Sequence, residues 1–295
     1  MKSKKTILAA AALVLVVCFA GSVFALNAAT GARGNEATLE EVLYLPSGKM
    51  LQRLSLGYSS LLADVYWTRA VQYFGGRVQR STHYELLNPL LEITTDLDPH
   101  LIVAYQDGSI FLAQQPTWGA GEPDKAVALL EKGIRNNPGY WRLYFTLGFV
   151  HYVDRHDYKA AEQAFRKGSE VPGALPWMKV MAARMAEKGA DLGTAFALWQ
   201  GIYDNATNKE LKQTATLHLD SLRADADLNE LDRRIQLYRQ KAGVLPSRWS
   251  DLIRAGLLPG IPTDPTGAPY KFEADGKVNV QDPSKFKFLG EFRKH

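Results

Sequence analysis

The reading turns on WRLYFTLGFVHYVDRHDYKAAEQAFRKGSEVP, residues 141–172. Its second half, Ala161-Glu-Gln-Ala-Phe165-Arg-Lys-Gly168, spaces a small residue, a large apolar one and a glycine at i, i+4 and i+7, one stripe of a helix. The stripe recurs as Leu87-x3-Leu91-x2-Thr94, as Ala126-x3-Leu130-x2-Gly133 and as Ala195-x3-Trp199-x2-Ile202. The leading residues are 39, 35 and 34 apart. Periods of this length mark helical hairpins that stack, because one hairpin cannot bury its apolar face alone. Small residues at a crossing let two helices approach, and the bulky residue one turn on fills the neighbour's groove.

With Tyr144, Leu147-Gly148 and His151/Tyr152 ahead of a turn at Asp157-Tyr158, then Ala161, Phe165, Gly168 and Pro172, this unit resembles the tetratricopeptide repeat. The preceding unit has Ala104, Gly108 and Phe111, then Ala126, Leu130, Gly133 and Pro138; an extra loop, Gln115–Gly121, lengthens it. The following one has Ala183, Ala186 and a turn at Ala190-Asp191. The resemblance covers roughly Leu54–Arg223. It implies an all-α fold, a helical-hairpin solenoid over residues 51–225. It also implies that the first helix of each hairpin lines a groove for extended or helical peptides. The matching positions are Ile102, Tyr105 and Ser109, then Arg142, Phe145, Phe149 and Tyr152, then Trp177, Val180, Arg184 and Glu187. Of these, Tyr105, Arg142, Phe145, Phe149, Tyr152, Trp177 and Arg184 are the expected partner-binding residues, and Trp118 on the extra loop is a second expected contact. Aromatics interspersed with arginine anchor protein contacts. The same side chains could instead pack on one another or on the C-terminal module.

After Asp227 the text changes, and residues 226–295 read as a small α+β module. Leu228–Ala242 is helical, and Pro and Gly then crowd the chain from Gly243 to Pro269. Asp275-Gly276 between Tyr270–Phe272 and Lys277–Val280 signals a hairpin. Gly243-Val-Leu-Pro246, the short helix Ser250–Ala255 and Asp264-Pro-Thr-Gly-Ala-Pro-Tyr270 resemble the C-terminal part of type II secretion major pseudopilins. That family holds calcium in this region. Here Asp264 and Asp275 are two separated carboxylates against the six to eight oxygens calcium takes, and Asp264 reads as a turn residue.

At the other end, three lysines precede the apolar stretch Thr6–Ala20, and Val23-Phe24-Ala25 suits signal-peptide cleavage. Read as Ile7–Leu26, the same stretch spans ~30 Å at 1.5 Å per residue and forms an apolar anchor helix. Residues 1–26 are thus a signal peptide or a membrane anchor, and residues 27–50 a linker. The lysines would stay cytoplasmic, placing the rest on the periplasmic side of the inner membrane or outside the cell. The apolar segment contains no acidic residue, which pilin-like proteins need there, and this speaks against polymerisation as a pilin.

Of the 295 residues 46% are apolar and 22% charged, which excludes wholesale disorder. Without Lys2, Lys4 and Lys5 the net charge of +4 drops to +1, so no basic excess points to nucleic acid. The single cysteine, Cys18, allows no internal disulfide. Phosphate-loop, serine-hydrolase and zinc-protease motifs are all missing. His151, Asp154, His156 and Asp157 form the one cluster with metal-ligand chemistry, but His151 and His156 do not share a helical face. The sequence therefore calls for no catalytic residue, metal or cofactor. The expected function is a non-enzymatic protein–protein scaffold of the cell envelope, serving a pilus or secretion assembly. Its alternatives are a structural subunit of such an apparatus or a metal-dependent enzyme.

Overall fold

The computed structural model describes residues 17, 20, 21, 47–77, 83–273 and 275–290, and among the described residues from 47 on eleven α-helices follow one another. They are α1 (Gly48–Leu54), α2 (Ser59–Arg77), α3 (Leu87–Leu97), α4 (Ile102–Ala113), α5 (Pro123–Asn136), α6 (Trp141–Phe149), α7 (Tyr158–Ser169), α8 (Trp177–Lys188), α9 (Leu192–Asn205), α10 (Lys209–Ala242) and α11 (Trp249–Arg254). Two two-residue strands, β1 (Lys271–Phe272) and β2 (Val278–Asn279), pair antiparallel with Phe272 opposite Val278. The chain is mostly helical, as expected of an all-α fold; among the described residues the paired strands are this C-terminal hairpin, with an isolated bridge between Thr263 and Pro269. Gly48–His295 forms one unit.

Consecutive helices pair: α2 with α3, α4 with α5, α6 with α7 and α8 with α9. Each pair meets the next through α3 on α4, α5 on α6 and α7 on α8, and α4 also touches both α2 and α6. The crossings depend on glycine. A Cβ at Gly108 would stand 2.6 Å from Leu91, at Gly133 2.8 Å from the Tyr105 ring, and at Gly148 2.7 Å from the Phe165 ring. At Gly168 it would meet Met178 at 2.5 Å and Tyr144 at 2.6 Å. Each glycine thus marks a place where two helices leave no room for a methyl group.

The turns follow the sequence. Asp157 Oδ1 accepts from Ala160 N–H (2.9 Å) and caps α7, and Asp191 does the same for α9 through Thr194 N–H (3.1 Å). Lys132 of α5 donates to Glu92 (2.7 Å) and Asp96 (2.6 Å) of α3 and to Thr95 Oγ1 (2.8 Å), joining alternate helices. Burial works against the charge of that ammonium, but the Asp96 and Glu92 hydrogen bonds outweigh it and raise its pKa above the usual lysine range.

Two expected boundaries need correction. The linker read over 27–50 runs into α1, which begins at Gly48 and packs on α3; a Cβ on Gly48 would overlap Asp96 at 2.5 Å. The junction at 225/226 falls inside α10, a 34-residue helix with no Gly or Pro until Gly243 caps it at φ 76°. The first half of α10 packs Ala215, Leu219 and Leu222 against Trp199 and Ile202 of α9. The second half packs Leu228, Leu231 and Ile235 against Leu252, Tyr270, Val278 and Phe286. The paired helices and the C-terminal module therefore share a helix.

Near the junction, Glu187 Oε1 accepts from Trp199 Nε1 (2.7 Å) and lies 2.7 Å from His218 Nδ1, all three buried. The His218 ring is sandwiched between Trp199 (3.9 Å) and Phe288 (3.7 Å). The tail is tied down again where Gly290 N–H donates to Asp225 (3.1 Å). The apolar N-terminal segment, read as signal or anchor, lies outside the described residues apart from 17, 20 and 21, which are helical. Among the described residues no helix is long and apolar enough to cross a membrane.

Candidate functional site

Helix α6 carries Trp141, Phe145 and Phe149 at four-residue spacing, so their rings stack along one face. Ring centroids lie 6.2 Å apart from Trp141 to Phe145 and 4.7 Å from Phe145 to Phe149. A π-helical turn, Val150–Asp154, extends α6 and continues the row to Tyr152, 6.5 Å from Phe149. The wider turn also brings Val153 out, 52% exposed. Trp177 of α8 meets Phe145 edge-on at 5.1 Å, and the Arg142 guanidinium lies 4.5 Å from the Trp141 ring. Five of the expected contact residues, Arg142, Phe145, Phe149, Tyr152 and Trp177, thus belong to one aromatic band.

The inner side of that band is anchored. Phe145 and Phe149 approach the buried Phe165 ring at 6.3 and 5.3 Å, and with Tyr152 they pack on a core of Ala161, Phe165, Met178, Ala182 and Met185. Half-buried rings of this kind are fixed in place, so little side-chain freedom is lost when a partner covers them. Their outer side opens on a groove of about 390 Å³, lined by Ile110, Ala113 and Gln114 of α4 and by Phe145, Thr146, Phe149, Val150, Val153 and Asp154. It lies between the first helices of two successive hairpins. Asp154 is its one ionisable group, and burial pushes that carboxyl above the usual range against the pull of His156.

The remaining expected contacts divide. Tyr105 is wholly buried; its ring backs onto Gly133 and Asn136 Nδ2 donates to its hydroxyl (3.4 Å), so its expected place on an open groove is corrected to the core. Ser109 and Glu187 of the same register are buried too. Arg184 is exposed on α8. Trp118 is 61% exposed on a loop folded back onto α4, where Ala120 N–H donates to Phe111 O (2.9 Å) and Glu122 N–H to Leu112 O (2.7 Å). Sequence reasoning missed Ile110 and Val153, the most open apolar groups in the groove. In α4 the signal was ambiguous: IVAYQDGSIFLA is apolar on every side, so periodicity selects no face.

The histidine cluster is dispersed. His151 is buried, whereas His156 is exposed at a left-handed φ of 53°. Among the described residues no three His, Cys, Asp or Glu side chains gather as a metal ion requires. In the C-terminal module Asp264 Oδ1 accepts from Thr266 N–H (2.8 Å), Thr266 Oγ1 (2.7 Å) and Ala268 N–H (3.1 Å), the work of a turn residue. Asp275 is paired with Lys277 at 3.0 Å. Comparison with protein-family models, curated proteins and solved structures returns no match to the chain.

Proposed function

We propose that the chain is a membrane-anchored, non-enzymatic scaffold of the cell envelope, a tetratricopeptide-like solenoid that docks an apolar helical or extended segment of another protein. The single observation carrying this reading is the groove between α4 and α6: apolar, walled by Ile110, Phe145, Phe149 and Val153, and open to solvent. Its place between first helices is where a repeat solenoid binds peptides. The glycine crossings at four helix contacts between α3 and α8 support the solenoid itself. The likeness of Asp264–Tyr270 to the pseudopilin turn supports a pilus or secretion assembly as the setting.

The test is capture from native membranes after brief cross-linking, comparing the full chain with Ile110→Asp and Val153→Asp. Both side chains are more than a third exposed, so each change should leave the melting temperature nearly unchanged, within about 0.5 kcal/mol of stability. Partner recovery should fall roughly tenfold or more, the effect of burying an unpaired carboxylate in an apolar contact. Wild-type recovery from both variants would contradict the proposal.

A further inference from the structure

At the start of the first described helices the chain exposes large apolar side chains in a tight run: Leu54 at 63%, Leu56 at 88%, Tyr58 at 69%, Leu61 at 61% and Val65 at 43%. They come from the end of α1, the α1–α2 turn and the first turns of α2. Contiguous apolar surface of this kind marks a contact with a partner or a membrane. Leu56 also stands at φ 50°, beside Gly57 at φ 92°. A branched side chain is strained in the left-handed region, where glycine or asparagine would be at ease. An almost wholly exposed leucine at such a turn contributes nothing to the core in return.

We propose that the α1–α2 turn is a membrane-surface contact, with Leu56 at its tip and Tyr58 and Leu61 behind it, resting on an anionic bilayer. This inference depends on the reading of residues 7–26 as a retained anchor. Two further observations select a bilayer as the occupant. First, residues 27–47 at ~3.5 Å each reach at most about 75 Å, so chain length alone keeps Gly48 within that distance of the end of the anchor. Tethering at that range raises the local concentration of lipid at the patch. Second, the charge suits anionic headgroups: between Gly48 and Arg69 stand Lys49, Arg53 and Arg69 against the single carboxylate Asp64, and Lys49 and Arg53 are exposed on α1 beside the apolar run. A tyrosine with an apolar ring and a polar tip is suited to the headgroup layer.

The experiment uses the full chain carrying Cys18→Ser, which removes its only cysteine. Leu56→Cys and Leu61→Cys are introduced singly, with Lys179→Cys on α8 as a control, and each is labelled with an environment-sensitive fluorophore. The proteins are reconstituted into phosphatidylcholine vesicles with or without phosphatidylglycerol. With the anionic lipid present, the labels at 56 and 61 should brighten roughly twofold or more over the control, and Lys49→Glu with Arg53→Glu should reverse most of that gain. A chain that does not float with the vesicles refutes the anchor, and this proposal falls with it. A chain that floats while all three labels stay equally bright overturns the membrane contact alone. Brightening that follows protein density in the vesicles, not their lipid, assigns the patch to a second copy and overturns it as well.

Discussion

His151 is 7% exposed, and its Nδ1 lies buried without a hydrogen-bond partner among the described residues. Burial pushes the imidazole pKa down, and the Arg155 guanidinium pushes it further, against weaker opposition from Asp157 and Glu131. The unfolded chain therefore binds this proton more readily than the folded one, so the folded state is fully favoured above a pH of about 6.5 and loses ground as pH falls through that value. The wild-type melting temperature should drop more steeply than that of His151→Gln between about pH 7.5 and pH 5.5. Equal slopes would mean that this side chain takes its proton as readily in the folded protein. Asp154, held high by burial, acts in the opposite sense only at more acidic pH, where the folded state keeps its proton. Neither property was legible beforehand. The spacing of His151 and His156 argued against a shared metal, but burial of one and exposure of the other depends on how α6 opens into its π-helical turn.

At the scale of the helix, glycine carries the sharper prediction. In a helix interior Gly→Ala ordinarily stabilises by about 0.5–1 kcal/mol. Gly201 of α9 has nothing within 4 Å of a built Cβ, so Gly201→Ala should gain that amount. Gly148→Ala should do the reverse and cost about 1–3 kcal/mol, because the Phe165 ring at 2.7 Å is fully buried and has nowhere to go. Equal or stabilising effects in urea unfolding of both variants would remove Gly148 from the crossing. This part of the architecture was readable, because close helix contacts demand small residues and the demand repeats. Asp157, Asp191 and Asp275-Gly276 were readable for a related reason: caps and tight turns are local chemistry. The face of α4 was not, since an element apolar all round meets neighbours on several sides and only tertiary packing decides which residues stay open. Tyr105 went inward and Ile110 outward for that reason.

Taken whole, the molecule joins its paired helices to its C-terminal module through one long helix. The change of composition after Asp227 suggested a boundary, yet the physical signal lay in what is absent: from Lys209 to Ala242 nothing breaks a helix. Contacts across sixty or more residues, such as Phe288 on His218 or Gly290 on Asp225, leave no local trace at all. The groove is of the same kind. Its aromatic wall was legible from α6, but its opposite wall and its opening depend on two hairpins stacking at a set distance.

The groove between α4 and α6 is proposed to receive another protein. The most direct measurement places a photo-cross-linking phenylalanine analogue at Val153 in the full chain, in native membranes, with the same analogue at the exposed Gln163 of α7 as the comparison. One discrete adduct with a different protein is expected at Val153, lost in the Ile110→Asp background and missing at Gln163. The same adducts from both positions, or none at Val153 while the chain remains folded, would contradict it.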